Sequence, residues 1–201
     1  MPTTNLVVPT SELEAVNIIL RAIGESPLDT LDQSFADSSI AQQVLREELR
    51  AFESTAWVHN TESGMTLTPD AEGNIQLPQN TMRVVCDPAL TQRGTRLYDR
   101  VGHTYTFTSA VECDLIVCLQ FEELPEPARR FIMIRAGRRF MDDAATDQTN
   151  HSFKARDEQA AWTAWLNYEQ QVAQWNVLDR LPLNLRVKRY RGLSTNSFNR
   201  E

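Results

Sequence analysis

Apolar residues recur every three or four positions from Ser11 to Val58 and again from Pro125 onward, whereas the stretch between breaks into short runs separated by Gly and Pro. The first pattern is that of helices with one buried stripe, and the second is that of short strands joined by turns. The chain is therefore expected to be α+β: a discontinuous helical bundle of about four helices, an inserted small antiparallel β domain and an extended C-terminal arm. The expected boundaries are 1–60 and 123–180 for the two parts of the helical domain, 61–122 for the β domain and 181–201 for the arm.

Ser11 and Glu14 form a Ser-x-x-Glu capping box that can satisfy free N–H groups at a helix start. Leu13, Val16, Leu20 and Ile23 give this helix its stripe, and Gly24 followed by Pro27 stops it. Ile40, Val44, Leu45, Leu49, Phe52 and Ala56 predict a second helix over 38–58. Strands are expected at 65–68, 75–77, 82–86, 96–99, 104–108 and 115–121, with Tyr105 and Phe107 facing the core.

A third helix follows Pro125 and Pro127 and continues to about Ala144. The fourth, over 152–178, would span about 40 Å at a helical rise of about 1.5 Å per residue. It has one apolar face through Ala161, Ala164, Trp165, Tyr168, Val172 and Trp175. A second strip, nearly opposite, runs through Ala155, Trp162, Leu166, Ala173 and Val177. In the third helix, Phe131, Ile134 and Met141 likewise lie outside the main apolar arc. One buried face suffices at the surface of a bundle, so the extra strips need another cover, either the β domain or another subunit.

The 201 residues are enough for a substantial core without covalent staples. Cys86, Cys113 and Cys118 are odd in number and lack a C-x-x-C pair, which argues for reduced structural thiols. The longest apolar run, Leu115 to Leu119, is far shorter than the roughly 18 to 20 residues of a membrane span, so none is expected. The N-terminal segment lacks the basic and apolar regions of a secretory signal, and the protein is expected to stay in a cytoplasm. The net charge of −7 is unevenly placed: residues 1–60 carry nine acidic groups against three basic ones, whereas 181–201 carry five basic groups against one acidic. The expected body is acidic and its tail basic.

His59, His103 and His151 have no ligand-spaced companions, so neither a metal site nor a cofactor is expected. No nucleophile elbow, P-loop or dinucleotide fingerprint occurs. Glu47 and Glu48, Glu122 and Glu123, and Asp142 and Asp143 superficially suit a glycosidase, but neighbours in sequence point in different directions. Solvated surface charge is the better reading. Arg135, Arg138 and Arg139 share a helix face that could hold phosphates or, as the preferred reading, pair with Asp142, Asp143 or an acidic neighbour. In the tail, Arg186, Lys188, Arg189 and Arg191 surround Val187 and Tyr190, a composition suited to grasping an acidic protein surface. The alternatives are a solvated end and a nucleic-acid contact, the latter opposed by the negative total.

Several segments together resemble the tail tubular protein A family, the head-to-tail adaptors of short-tailed bacteriophages. They are AVNIILRAIGESPLDTLD at 15–32, TAWVHNTESGMTLTPDAEGNIQLPQNTMRVV at 55–85, GTRLYDRVGHTYTF at 94–107 and LQFEELPEPARRFIMIRAGRRF at 119–140. Where family members often carry Gly before the tryptophan and Phe two residues after it, this chain has Ala56 and His59.

The resemblance implies a non-enzymatic virion protein of the tail, made in the host cytoplasm, with a helical domain interrupted by a β domain. It implies a homododecameric ring between the portal protein and the tail nozzle, tail tubular protein B, with genomic DNA in transit through the bore during ejection. A tail fibre is a further candidate partner. Within that ring, Phe131, Trp162 and Leu166 are expected to pack between subunits, and Arg186, Lys188, Arg189, Tyr190 and Arg191 to contact the portal. The competing functions are a cell-envelope polysaccharide or peptidoglycan hydrolase of the tail and a plain DNA-binding module.

Overall fold

A computed structural model describes residues 8–32, 36–144 and 148–180. Its elements run α1 (Glu12–Arg21), α2 (Ala36–Glu53), β1 (Thr61–Leu67), β2 (Thr81–Val85), β3 (Leu90–Arg93), β4 (Arg96–Asp99) and β5 (Val111–Val117). A 3-10 turn (Phe121–Glu123), α3 (Glu126–Ala144) and α4 (Gln148–Arg180) follow. This is the α+β arrangement expected from the change in apolar spacing. The arm residues Arg186, Lys188, Arg189, Tyr190 and Arg191 lie outside the described residues.

The ends of α1 follow from local chemistry. Ser11 Oγ accepts the Glu14 N–H at 3.2 Å. At the other end Gly24 has φ +86°. That left-handed turn brings Gly24 N–H to the Arg21 carbonyl and Glu25 N–H to the Leu20 carbonyl, both at 3.1 Å, so carbonyls at the helix end are satisfied. The helix α2 starts at Ala36 and stops at Glu53, five residues before the expected end. Side chains beyond it take over its terminal carbonyls: Trp57 Nε1–H donates to Phe52 O at 2.9 Å, and Asn60 Nδ2–H donates to Glu53 O at 2.8 Å. The rotation of α2 also differs from the expected stripe. Ser38 and Ala41 are buried, whereas Ile40 is 47% exposed.

The four helices share one core. Val16, Ile19 and Leu20 of α1 meet Val44, Leu45 and Phe52 of α2, Phe131, Ile132 and Phe140 of α3, and Ala161 and Trp165 of α4. Trp165 is fully buried and makes edge contacts with Phe52 and Trp57, both at 5.1 Å between ring centroids. Phe121 and Leu124, just past the β unit, belong to this core as well. Arg129 fixes their turn: its buried guanidinium donates to Leu124 O at 2.8 Å, to Thr10 O at 2.7 Å and to Glu122 O.

The β unit has a three-stranded antiparallel sheet ordered β1-β5-β2 and a separate β3-β4 hairpin. Leu77, Cys113, Leu115 and Val117 form its own small cluster. The expected strand at 115–121 is displaced to 111–117, because Phe121 is drawn into the helical core and the chain bends after Val117. Residues 75–77 and 104–108 make only isolated bridges rather than strands. Ile75 and Leu77 are nonetheless buried, held to the hairpin by Leu97 N–H to Ile75 O and Leu77 N–H to Thr95 O. Tyr105 and Phe107, expected to face the core, are half-buried. All three cysteines are free; Cys113 is buried and the other two are partly covered, and desolvation raises each thiol above its ordinary value.

Arg129→Ala would leave three carbonyls without their donor and remove the tether between Thr10 and the turn at Glu122. We expect a loss of about 2–4 kcal/mol in urea unfolding, because hydrogen bonds to charged groups and buried unsatisfied groups both contribute at this scale. Arg129→Lys should recover only part of it, since an ammonium cannot reproduce the planar fork.

Candidate assembly surfaces

On the exposed side of α3, the arginines expected to form an electrostatic face are paired with carboxylates of neighbouring helices. Arg139 Nη1–H donates to Glu48 Oε1 at 3.0 Å, and Arg139 Nη2–H donates to Glu47 Oε2 at 2.7 Å. Arg135 Nε lies 2.7 Å from Glu48 Oε2, an ion pair by distance although not aligned as a hydrogen bond. Arg138 Nη1 stands in the same relation to Glu158 Oε2 of α4, at 2.7 Å. The sector thus ties α3 to α2 and α4, and its charges are largely balanced within the chain.

Beside these pairs runs a groove of about 400 Å³ between α3 and α4, lined by Phe131, Arg135, Arg138, Ala155, Glu158, Gln159 and Trp162. Phe131 forms its floor and is 4% exposed. It packs on Phe52 at 5.7 Å and on Trp162 at 4.9 Å, so it is a core residue of its own chain and offers almost no surface to a neighbour. The expectation for Phe131 is corrected accordingly. Its place outside the apolar arc reflects contact with α2 and α4 of the same chain. Trp162 and Leu166 are half-buried, resting on this core with one side uncovered. On α4, Ala161 and Trp165 are buried as expected, while Ala164 on that same face is exposed.

A second set of residues, missed at the level of sequence, joins the helices to the β unit. Glu53 is fully buried; its Oε1 lies 2.8 Å from His59 Nε2, and its Oε2 accepts the Leu119 N–H at 3.4 Å. Asn60, also fully buried, bonds Glu53 O and Thr55 O through its amide nitrogen and accepts Trp57 N–H on its oxygen at 2.9 Å. Val117 N–H donates to Asn60 O, and Glu169 of α4 accepts Val58 N–H at 2.7 Å. The chain leaving α2 and the chain returning from β5 are thereby fastened at the same point. The His59 ring packs against both Phe52 and Trp165, at 6.3 and 5.4 Å between ring centroids, in an aromatic setting that would also suit phenylalanine. The departure at His59 was the one available signal of this junction.

Two of the three carboxylate pairs that invited a glycosidase reading have structural roles. Glu47 and Glu48 hold arginines, Glu122 accepts Glu12 N–H at 3.0 Å, and Glu123 accepts Gln120 N–H at 2.8 Å. Among the described residues, no group of three or more His, Cys, Asp or Glu could hold a metal ion. No described helix is long and apolar enough to cross a membrane.

A family model described as "Tail tubular protein" matches residues 13–175, from α1 through most of α4. The chain belongs to this family and is a structural component of a bacteriophage tail. Among individual relatives, the tail tubular protein A of Klebsiella phage KP34 is 32% identical over 124 residues, which cover 60% of this chain and 66% of that protein.

Two partly exposed carboxyls predict how the fold responds to acid. Glu47 is held below its ordinary value chiefly by the Gln43 side-chain hydrogen bond, with Arg139 adding to it. Asp99 is lowered by the N–H groups of Gly102 and then Val101. Both shifts stabilise the fold above the unfolded carboxyl pKa, and the contribution is lost as pH falls through the lower folded value. The thermal midpoint should therefore hold between pH 7 and about 5 and decline below about pH 4.5, with Arg139→Ala showing a shallower decline.

Proposed function

We propose that the chain forms the ring-shaped adaptor between the portal protein and the tail nozzle, through whose bore genomic DNA passes during ejection. The observation that carries this reading is α4. It has 33 residues, about 50 Å at the helical rise, and leaves half-covered both Trp162, which lines an open groove, and Leu166. An apolar strip of that kind on a structural tail protein suits a neighbour of the same kind. A contact between two different surfaces of identical chains propagates by rotation and closes into a ring, twelve copies in this reading.

In that ring the work is binding rather than bond making. The net charge of −7 per chain is repeated in every copy, and acidic groups facing the bore would repel phosphate and keep DNA from adhering in passage. The basic arm with Arg186, Lys188, Arg189, Tyr190 and Arg191 reaches the portal, and the opposite end of the ring receives the nozzle, with a tail fibre as a further partner. The site of action is then the head-to-tail joint of the virion.

Two variants separate the parts of this proposal. Deleting residues 182–201 should abolish capture by immobilised portal protein while leaving the thermal midpoint unchanged; full capture would remove the arm from the portal contact. Leu166→Glu should reduce ring formation in native mass spectrometry while preserving the far-ultraviolet circular dichroism spectrum. Intact rings from that variant would place the subunit contact elsewhere.

A further inference from the structure

The β3-β4 hairpin carries a set of side chains that the helical surfaces do not account for. Arg93 and Arg96 are directly opposite each other in its antiparallel register, separated by the two-residue turn Gly94-Thr95. Gly94 has φ +61° at the first turn position, where a tight hairpin of this hand favours glycine. Like charges directly opposite on a sheet destabilise it, so this placement calls for a compensating contact. Aromatic rings supply one. The Arg93 guanidinium lies 3.6 Å from the centroid of Tyr98, one diagonal step along the hairpin, and that of Arg96 lies 4.4 Å from the centroid of Tyr105. The two rings touch each other at 4.7 Å, giving an ordered row Arg93, Tyr98, Tyr105, Arg96.

Stacking holds a guanidinium in place without neutralising it. Both arginines are exposed, and among the described residues no carboxylate lies within ion-pair distance of either. This contrasts with Arg135, Arg138 and Arg139, each of which has a carboxylate partner. The hairpin beneath is firmly based: Leu97 is fully buried, and its N–H donates to Ile75 O at 3.1 Å. The result is a stacked, exposed pair of guanidinium groups without a carboxylate partner among the described residues, and guanidinium is the donor that binds carboxylates in bidentate fashion.

We propose that this hairpin is one half of a contact between copies of the chain, with Arg93 and Arg96 of one copy docking on the acidic helical part of the next. The inference rests on the adaptor-ring reading and deepens it by naming one of the two surfaces. Charge complementarity selects the occupant: Glu53 is buried and Glu47 and Glu48 are taken up by α3 arginines, but Glu14, Glu25, Asp32 and Asp37 stand exposed on the helical part, so a second copy offers carboxylates that the hairpin lacks in its own chain. The two surfaces differ, which makes the contact head-to-tail. Duplex DNA is the weaker occupant, because two cations release few counterions and the chain as a whole is negative.

The test is mass photometry of the full-length chain across concentration and salt, comparing wild type with Arg93→Glu/Arg96→Glu and with the milder Arg93→Gln/Arg96→Gln. Wild type should form rings whose half-assembly concentration rises with salt. Glutamate reversal should raise that concentration by at least about 100-fold, and glutamine should raise it less but measurably, with the thermal midpoint of the glutamine variant kept. If wild type and both variants form rings equally well, the hairpin contact is overturned while the ring reading stands. Unchanged rings combined with lost binding to a 30-base-pair duplex probe would overturn it in favour of nucleic acid. A wild type that remains monomeric throughout would overturn both the contact and the ring.

Discussion

The buried carboxylate of Glu53 is the interaction on which the arrangement of this chain depends. A helical body interrupted by a β unit must hold two chain crossings side by side, one leaving and one returning. Glu53 sits at the end of α2 and meets both, through His59 on the outgoing segment and Leu119 on the returning one. Asn60 repeats the device with amide groups and also bonds Val117 through its backbone. Burying such groups is costly unless each finds a partner, and here the partners are the ends of the elements that need joining. Trp165 closes the junction from α4, in contact with Phe52, Trp57 and His59 together.

From that junction the chain divides its charges by role. On α3 the arginines bridge helices and are balanced by Glu47, Glu48 and Glu158, so they stabilise the body rather than await a ligand. On the β3-β4 hairpin the arginines rest on tyrosine rings and keep their charge available. In the proposed ring both kinds have a use: internal pairs keep each subunit's shape, and groups without an internal carboxylate are available to the next copy. The acidic total and the basic arm fit the same division, with like charge facing the DNA path and opposite charge facing partners in the proposed adaptor.

Helices were legible in the sequence because their signals are local. Ser11 and Gly24 bracket α1, and Pro125 lies immediately before α3, as expected from backbone chemistry alone. The end of α2 was not legible, since Trp57 and Asn60 reach back from outside the helix to its last carbonyls. Strand positions slipped where tertiary packing decided them: Phe121 follows the pattern of a strand residue but is claimed by the helical core. The same limit applies to the surfaces. The arginine face of α3 could be read from its spacing, yet its partners Glu47 and Glu48 stand about 90 residues away in sequence. Phe131 shows the converse error, an apolar residue outside the main stripe whose cover comes from its own chain.

The central claim is that copies of this chain close into one ring that sits on the portal. Cryo-electron microscopy of the purified chain mixed with its portal protein tests it most directly. The account predicts end-on views with a single rotational symmetry, an open central bore and the ring stacked coaxially on the portal. Portal particles that carry no added ring, beside free monomers or open filaments of the chain, would contradict it.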